Sequence, residues 1–127
     1  MPEKHLYEYA VIRVVPRVER EEFINTGVIS YCATLRFLDV KYKLETARLA
    51  AFNCELNIEE VAMRLSAFEQ VCKGGKWGGP IGQLSQASRF RWLTAARSTI
   101  VQTSAVHSGL CLSAAETLHS LYNRLAG

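Results

Sequence analysis

Between Ser88 and Thr99 the chain reads Ser-Arg-Phe-Arg-Trp-Leu-Thr-Ala-Ala-Arg-Ser-Thr, and Lys76-Trp77 stands a short way upstream. Arginines interleaved with Phe90 and Trp92 are what single-stranded nucleic acid binding uses: cations for phosphate, flat rings for base stacking. The same cations suit an acidic protein surface. The candidate binding residues are therefore Lys73, Lys76, Trp77, Arg89, Arg91, Trp92 and Arg97. The opposing reading buries Phe90 and Leu93 and leaves the arginines as a solvated face, since aromatic rings are as readily buried as displayed.

Charge placement sharpens this choice. From Gln70 to Ala115 there is no Asp or Glu, while Lys73, Lys76, Arg89, Arg91 and Arg97 fall inside, so that segment alone carries +5 against a whole-chain charge of +3. Such asymmetry can focus a positive field on one surface and attract an anionic partner. Alternatively, these cations pair across the fold with carboxylates of the acidic N-terminal half.

Other residues offer weaker chemistry. His107, in Ser104-Ala-Val-His-Ser-Gly109 and close to Cys111, could serve a nucleophile pair, but no Gly-x-Ser-x-Gly elbow or neighbouring acid accompanies it. Arg13, on an otherwise apolar strand face, forms with Arg20, Glu22 and Asn25 a polar corner: a paired network or an anion-binding site. Gly74 to Gly82 holds five glycines in nine positions and reads as a loop. It follows a helix and lacks the lysine pattern of a phosphate loop. Cys32, Cys54, Cys72 and Cys111 show no Cys-x-x-Cys spacing and no His-x-x-x-His beside them. They read as reduced, mostly buried thiols, with neither metal nor cofactor expected.

The elements that must position these residues are legible in part. Tyr7 to Val15 alternates as a strand ended by Pro16. Val28 to Leu35 follows, and Phe37 to Tyr42 either continues that strand or forms a hairpin with it. Thr46 can cap a short helix. Asn57 with Glu60 makes a capping box before the stripe Ile58, Val61, Leu65, Phe68, Cys72, and Gly74-Gly75 ends that helix. Gln83 to Leu93 is weakly helical, Ser98 to Val106 reads as a strand, and Ser108-Gly109 as a turn. Ser113 with Glu116 caps a last helix. Its length of 127 residues, 49% hydrophobic content and 3 prolines fit a single domain, 1–127. The expected class is α+β: a small, largely antiparallel sheet of three to four strands with helices packed on one face. No apolar run approaches the roughly eighteen residues of a membrane span, and the start is no signal peptide, so a cytoplasmic setting is expected.

Tyr9-Ala-Val-Ile-Arg-Val-Val-Pro16, Arg20-Glu-Glu-Phe-Ile-Asn-Thr-Gly27, Arg89 to Thr99 and Gln102 to Gly109 together resemble the bacterial family called domain of unknown function 3037. The resemblance runs over nearly the whole chain and carries no known chemistry. It implies a small stand-alone protein encoded beside a HipA-like kinase-fold protein, and hence an accessory or partner role. Ala96 and Ser113-Ala114 stand where the family pattern has a proline and an Asp-Pro pair, which bears on local turn geometry.

Two functions follow as expectations. The first is a non-enzymatic module whose basic aromatic segment engages an acidic partner or nucleic acid. Joint replacement of Arg89, Arg91 and Arg97 by Ala should then weaken binding with the fold intact. The second is an enzyme acting on a phosphate-bearing small molecule through His107 with Arg13, Arg20 or Arg97, which requires those side chains to converge in one pocket.

Overall fold

The computed structural model describes residues 3–17, 21–53, 55–97 and 99–127. Strand β1 (His5–Val14) is the spine of an antiparallel sheet. On one side it pairs with β2 (Ile24–Cys32), which in turn pairs with β3 (Phe37–Tyr42). On its other side two short strands share its length. β4 (Val101–Thr103) runs against Ile12–Val14, and β5 (His107–Cys111) runs against His5–Tyr9. The α+β class stands, with five strands among the described residues where three to four were expected.

β2 and β3 form a hairpin, which settles the alternative left open by the sequence. Arg36 takes a left-handed φ of 51° in its turn, and its N–H donates to Ala33 O at 3.1 Å. The expected strand from Ser98 to Val106 is shorter, because Ser104 interrupts it. Its Oγ accepts from Val11 N at 2.9 Å while its own N–H donates to Val11 O. Ser108-Gly109, expected as a turn, lies within β5. Gly109 pairs with Tyr7, and a Cβ there would stand 2.7–2.9 Å from the Tyr7 ring, so the glycine admits an aromatic neighbour.

The helices are α1 (Thr46–Phe52), α2 (Ile58–Lys73), α3 (Gly79–Gly82), α4 (Gln86–Leu93) and α5 (Ala114–Leu125). Asn57 caps α2 by accepting from Glu60 N, and Ser113 caps α5 by accepting from Glu116 N. Ser113 therefore supplies the N-cap oxygen of α5. The glycine-rich segment is more ordered than a plain loop: a 3₁₀ turn at Lys76–Gly78 runs into α3, with Pro80 in the first turn, where its missing N–H costs nothing.

Alternation along the strands makes two apolar faces, each with its own cover. Ala10, Ile12, Ile29 and Val40 pack under α2 and α4 through Leu65, Phe68, Phe90 and Leu93. Val28, with the half-buried Tyr7, Tyr9 and Phe37, packs under α5 through Leu118, Leu121 and Tyr122. Helices thus cover both faces, not one. A 3.6-residue stripe says that a helix is buried, not on which side of the sheet.

Cys32, Cys72 and Cys111 are free and buried, while Cys54 lies outside the described residues. Burial pushes the Cys72 thiol up to about 12, with the Asp39 charge adding to the shift and Arg89 opposing it. The thiolate is the nucleophile, so native Cys72 should alkylate with iodoacetamide at pH 8 on the order of a hundredfold slower than in the urea-unfolded chain. Peptide mass spectrometry would read this, and equal rates would refute the buried placement. The linkage sign follows: above pH ~9 the unfolded thiol ionises while the folded one keeps its proton, so stability falls as pH rises.

Candidate binding surface

α4 divides the arginine-aromatic segment in two. Ser85 caps it, accepting from Ser88 N at 3.2 Å, and one helical turn then sends Arg89, Phe90 and Leu93 inward and Arg91 and Trp92 outward. Arg89 is buried. Its Nη1 donates to Val71 O at 3.1 Å and Cys72 O at 2.7 Å, and its Nε donates to Leu84 O at 3.0 Å. Those carbonyls include two at the C-terminal end of α2, where a cation meets the negative end of the helix dipole. Gly74, φ 78°, makes room: a Cβ there would lie 2.5 Å from Arg89 Nη1. Arg89 therefore leaves the candidate surface and becomes a structural clamp.

The remaining members stay outside. Lys73, Lys76 and Arg91 are exposed; Trp77 is 74% and Trp92 42% exposed. Each tryptophan carries its own cation. Lys76 Nζ lies 5.2 Å from the Trp77 ring centre and the Arg97 guanidinium carbon 4.7 Å from that of Trp92. Arg97 also donates to Trp92 O, and partial burial draws its pKa down from the usual arginine value. Among the described residues the ion pairs are Arg17–Glu55, Lys43–Glu45 and Arg64–Glu60, so none takes a cation from the acid-free segment. Cross-fold pairing does not account for them.

Beside Trp92 runs a groove of about 140 Å³ between α2 and α4. Phe68, Val71, Leu93 and Val101 give it an apolar floor; Trp92, Arg64 and Arg97 stand at its walls, and no carboxylate lines it. Trp77 borders the same turn of α2, since Gly78 packs against Gln70 and Val71. Arg64 was missed by sequence reasoning because, four residues after Glu60, it reads as a solvated helix pair.

His107 and the polar corner do not form one site. His107 is exposed and tilts against Tyr9, with ring centres 5.5 Å apart. Tyr9 and Arg13 are four strand positions, roughly 13 Å, apart. Arg13 stacks over Phe23 at 3.9 Å, toward β2, on the side of β1 away from β5. Ser104 Oγ is held by backbone. His107 and Arg13 therefore do not share one pocket. In the corner itself Arg13 and Asn25 are cross-strand partners, Glu22 is engaged, and Arg20 lies outside the described residues. Among the described residues no group of three or more His, Cys, Asp or Glu is placed to hold a metal. Nor is any helix there long and apolar enough to cross a membrane.

Fold and surface together define an α+β domain with a five-stranded antiparallel sheet and a cationic, tryptophan-walled groove on its larger helical layer. The chain belongs to the family described as "Protein of unknown function (DUF3037)", whose model matches residues 9–126. No curated protein and no solved structure matches it.

Proposed function

We propose that the protein is a non-enzymatic binding module that takes an acidic protein partner on the groove between α2 and α4. The observation that carries this reading is the groove's make-up: an apolar floor sized for one large side chain, two guanidiniums at its walls and no carboxylate. A protein segment with an apolar anchor flanked by Asp or Glu matches all three. A stacking platform for nucleic acid is matched less well, because Lys76 and Arg97 already cover one face of each tryptophan. In this reading the protein works in the bacterial cytoplasm, where thiols such as Cys32, Cys72 and Cys111 stay reduced. The HipA-like kinase-fold protein that the family resemblance brings in is the first partner to try.

The test is co-purification with that neighbour after nuclease treatment, followed by titration calorimetry. Trp92→Ala and Arg97→Gln should each weaken the complex by about 30-fold or more, as central tryptophans and arginines of interfaces do. Affinity within a factor of two of the parent would sink the groove as the docking site. Capture lost on nuclease treatment, with log affinity falling linearly in log salt, would transfer the surface to nucleic acid.

A further inference from the structure

A second cleft lies on the other helical layer, where β2 meets α1 and the C-terminal end of α5. Its volume is about 220 Å³, and Phe23, Asn25, Arg48, Arg124 and Leu125 are among the residues lining it. That is below the range for drug-sized ligands and suits a small one. We propose that it is a phosphate site, taking inorganic phosphate or a hydroxyl-bearing phosphate ester such as a sugar phosphate.

Charge is the first argument. Arg48 and Arg124 come from different helices to one cleft and both are exposed; no Asp or Glu lines it, and its one acidic group is the terminal carboxylate of Gly127, against two guanidiniums. Among the described residues neither makes an ion pair. Glu45 is held by Lys43 and lines a smaller neighbouring pocket; its hydrogen bond to Lys43, with the charges of Lys43 and Arg48 behind it, holds its carboxyl below the ordinary value. Arg13 adds a third cation behind the Phe23 ring. The carbonyl end of α5 is unfavourable for an anion, but Arg124 in its last turn and Asn25 Nδ2, donating to Leu125 O at 3.2 Å, offset it.

Hydrogen-bond capacity narrows the anion. With Nδ2 committed to Leu125 O, Asn25 Oδ1 is buried and accepts from nothing; Arg13 Nε, on the cross-strand partner, is buried and donates to nothing. Arg13 does not line the cleft, so the orphan atom a ligand there can serve is Asn25 Oδ1, which wants a donor. Carboxylate and sulfate at neutral pH offer lone pairs only. Inorganic phosphate keeps at least one P–O–H, and a sugar phosphate brings hydroxyls, so either can donate to Asn25 Oδ1 while its other oxygens meet the two guanidinium forks.

The test uses the full chain at pH 7 and fixed ionic strength. Inorganic phosphate, a hexose phosphate and sulfate are each titrated by calorimetry, with phosphorus NMR for the first two. Phosphate should bind with Kd near 1 mM or below, and sulfate at least about fivefold more weakly. Arg48→Gln and Arg124→Gln, exposed changes that leave the thermal melt in place, should each cost about tenfold in Kd. Tighter binding of the hexose phosphate identifies the ester as the ligand, and tighter binding of the free ion identifies that instead. No phosphate binding up to about 20 mM, or affinity unmoved in the double variant, overturns the site. Sulfate binding as well as phosphate overturns the assignment to phosphate.

Discussion

Arg89→Ala is expected to lower the stability of the domain by about 3–5 kcal/mol, the scale of removing one partner from a buried charged network. Three carbonyl acceptors lose their donor at once: Val71 O, Cys72 O and Leu84 O. The buried space held by the side chain is also vacated, beneath a helix end that no other described side-chain donor serves. Since a domain of this size has roughly 5–15 kcal/mol in total, the variant should be marginal. In urea the midpoint should fall by on the order of 2 M at unchanged m-value. Arg89→Lys should recover little, because an ammonium cannot reproduce the planar fork that meets carbonyls from two segments. A loss under about 1 kcal/mol would show that water takes over the carbonyls and that the clamp is dispensable.

This result separates two roles that look alike in sequence. Arg89 and Arg91 are two residues apart in one run of basic and aromatic side chains, and local composition treats them equally. The helix does not: two residues turn through about 200°, so one is carried into the core and the other into solvent. The triple replacement of Arg89, Arg91 and Arg97 would therefore unfold as well as unbind. Arg91→Ala with Arg97→Gln is the pair that leaves the fold in place.

What was legible follows the same logic. The caps Asn57 and Ser113, the terminator Gly74 and the stripe of α2 are local signals, and the structure follows them to within a residue, although Glu60 turns to Arg64 and not back to the cap. β1 was legible from alternation. Two things needed the third dimension. One was that a ten-residue strand can seat two short partners in succession, which turns Ser108-Gly109 from a turn into strand. The other was the meeting of Arg48 with Arg124, 76 residues apart in the chain, at one cleft. The family blocks make sense in these terms: Tyr9 to Pro16 and Gln102 to Gly109 lie on neighbouring strands, and Asn25-Thr26-Gly27 of β2 sits directly opposite the irregularity at Ile12/Arg13 of β1.

That irregularity carries the second large effect. Gly27 lies in central strand β2, paired with Ile12 on one side and Tyr42 on the other. Thr26 Oγ1 donates to Ile12 O, and Lys43 N–H donates to Thr26 O at 3.0 Å, so the backbone is pinned to both neighbours. A Cβ on Gly27 would stand 2.5 Å from Tyr42 Cβ, 2.6 Å from Lys41 O and 2.9 Å from Tyr42 Cα. None of these is the far end of a flexible side chain, so relief requires β3 to move, and Tyr42 is packed against the larger core. Gly27→Ala should therefore cost about 2–4 kcal/mol, at the upper end for overpacking, despite the ~0.4–1 kcal/mol that alanine gains by stiffening the unfolded chain. The melting temperature should fall by roughly 10 °C, and the Lys43 amide should lose hydrogen-exchange protection before the β1 amides do. Gly75→Ala is the control: nothing lies within 4 Å of its Cβ, so its cost, about 1–3 kcal/mol, is the backbone strain of φ 78° and ψ −165° alone and leaves β3 in place. If the Lys43 amide is as well protected in Gly27→Ala as in Gly75→Ala, close approach of β2 and β3 is not what the glycine serves. If Gly27→Ala falls well below Gly75→Ala, the Thr-Gly pair is fixed by sheet packing, and Asn25 beside it is left as the member of that block free to meet a ligand.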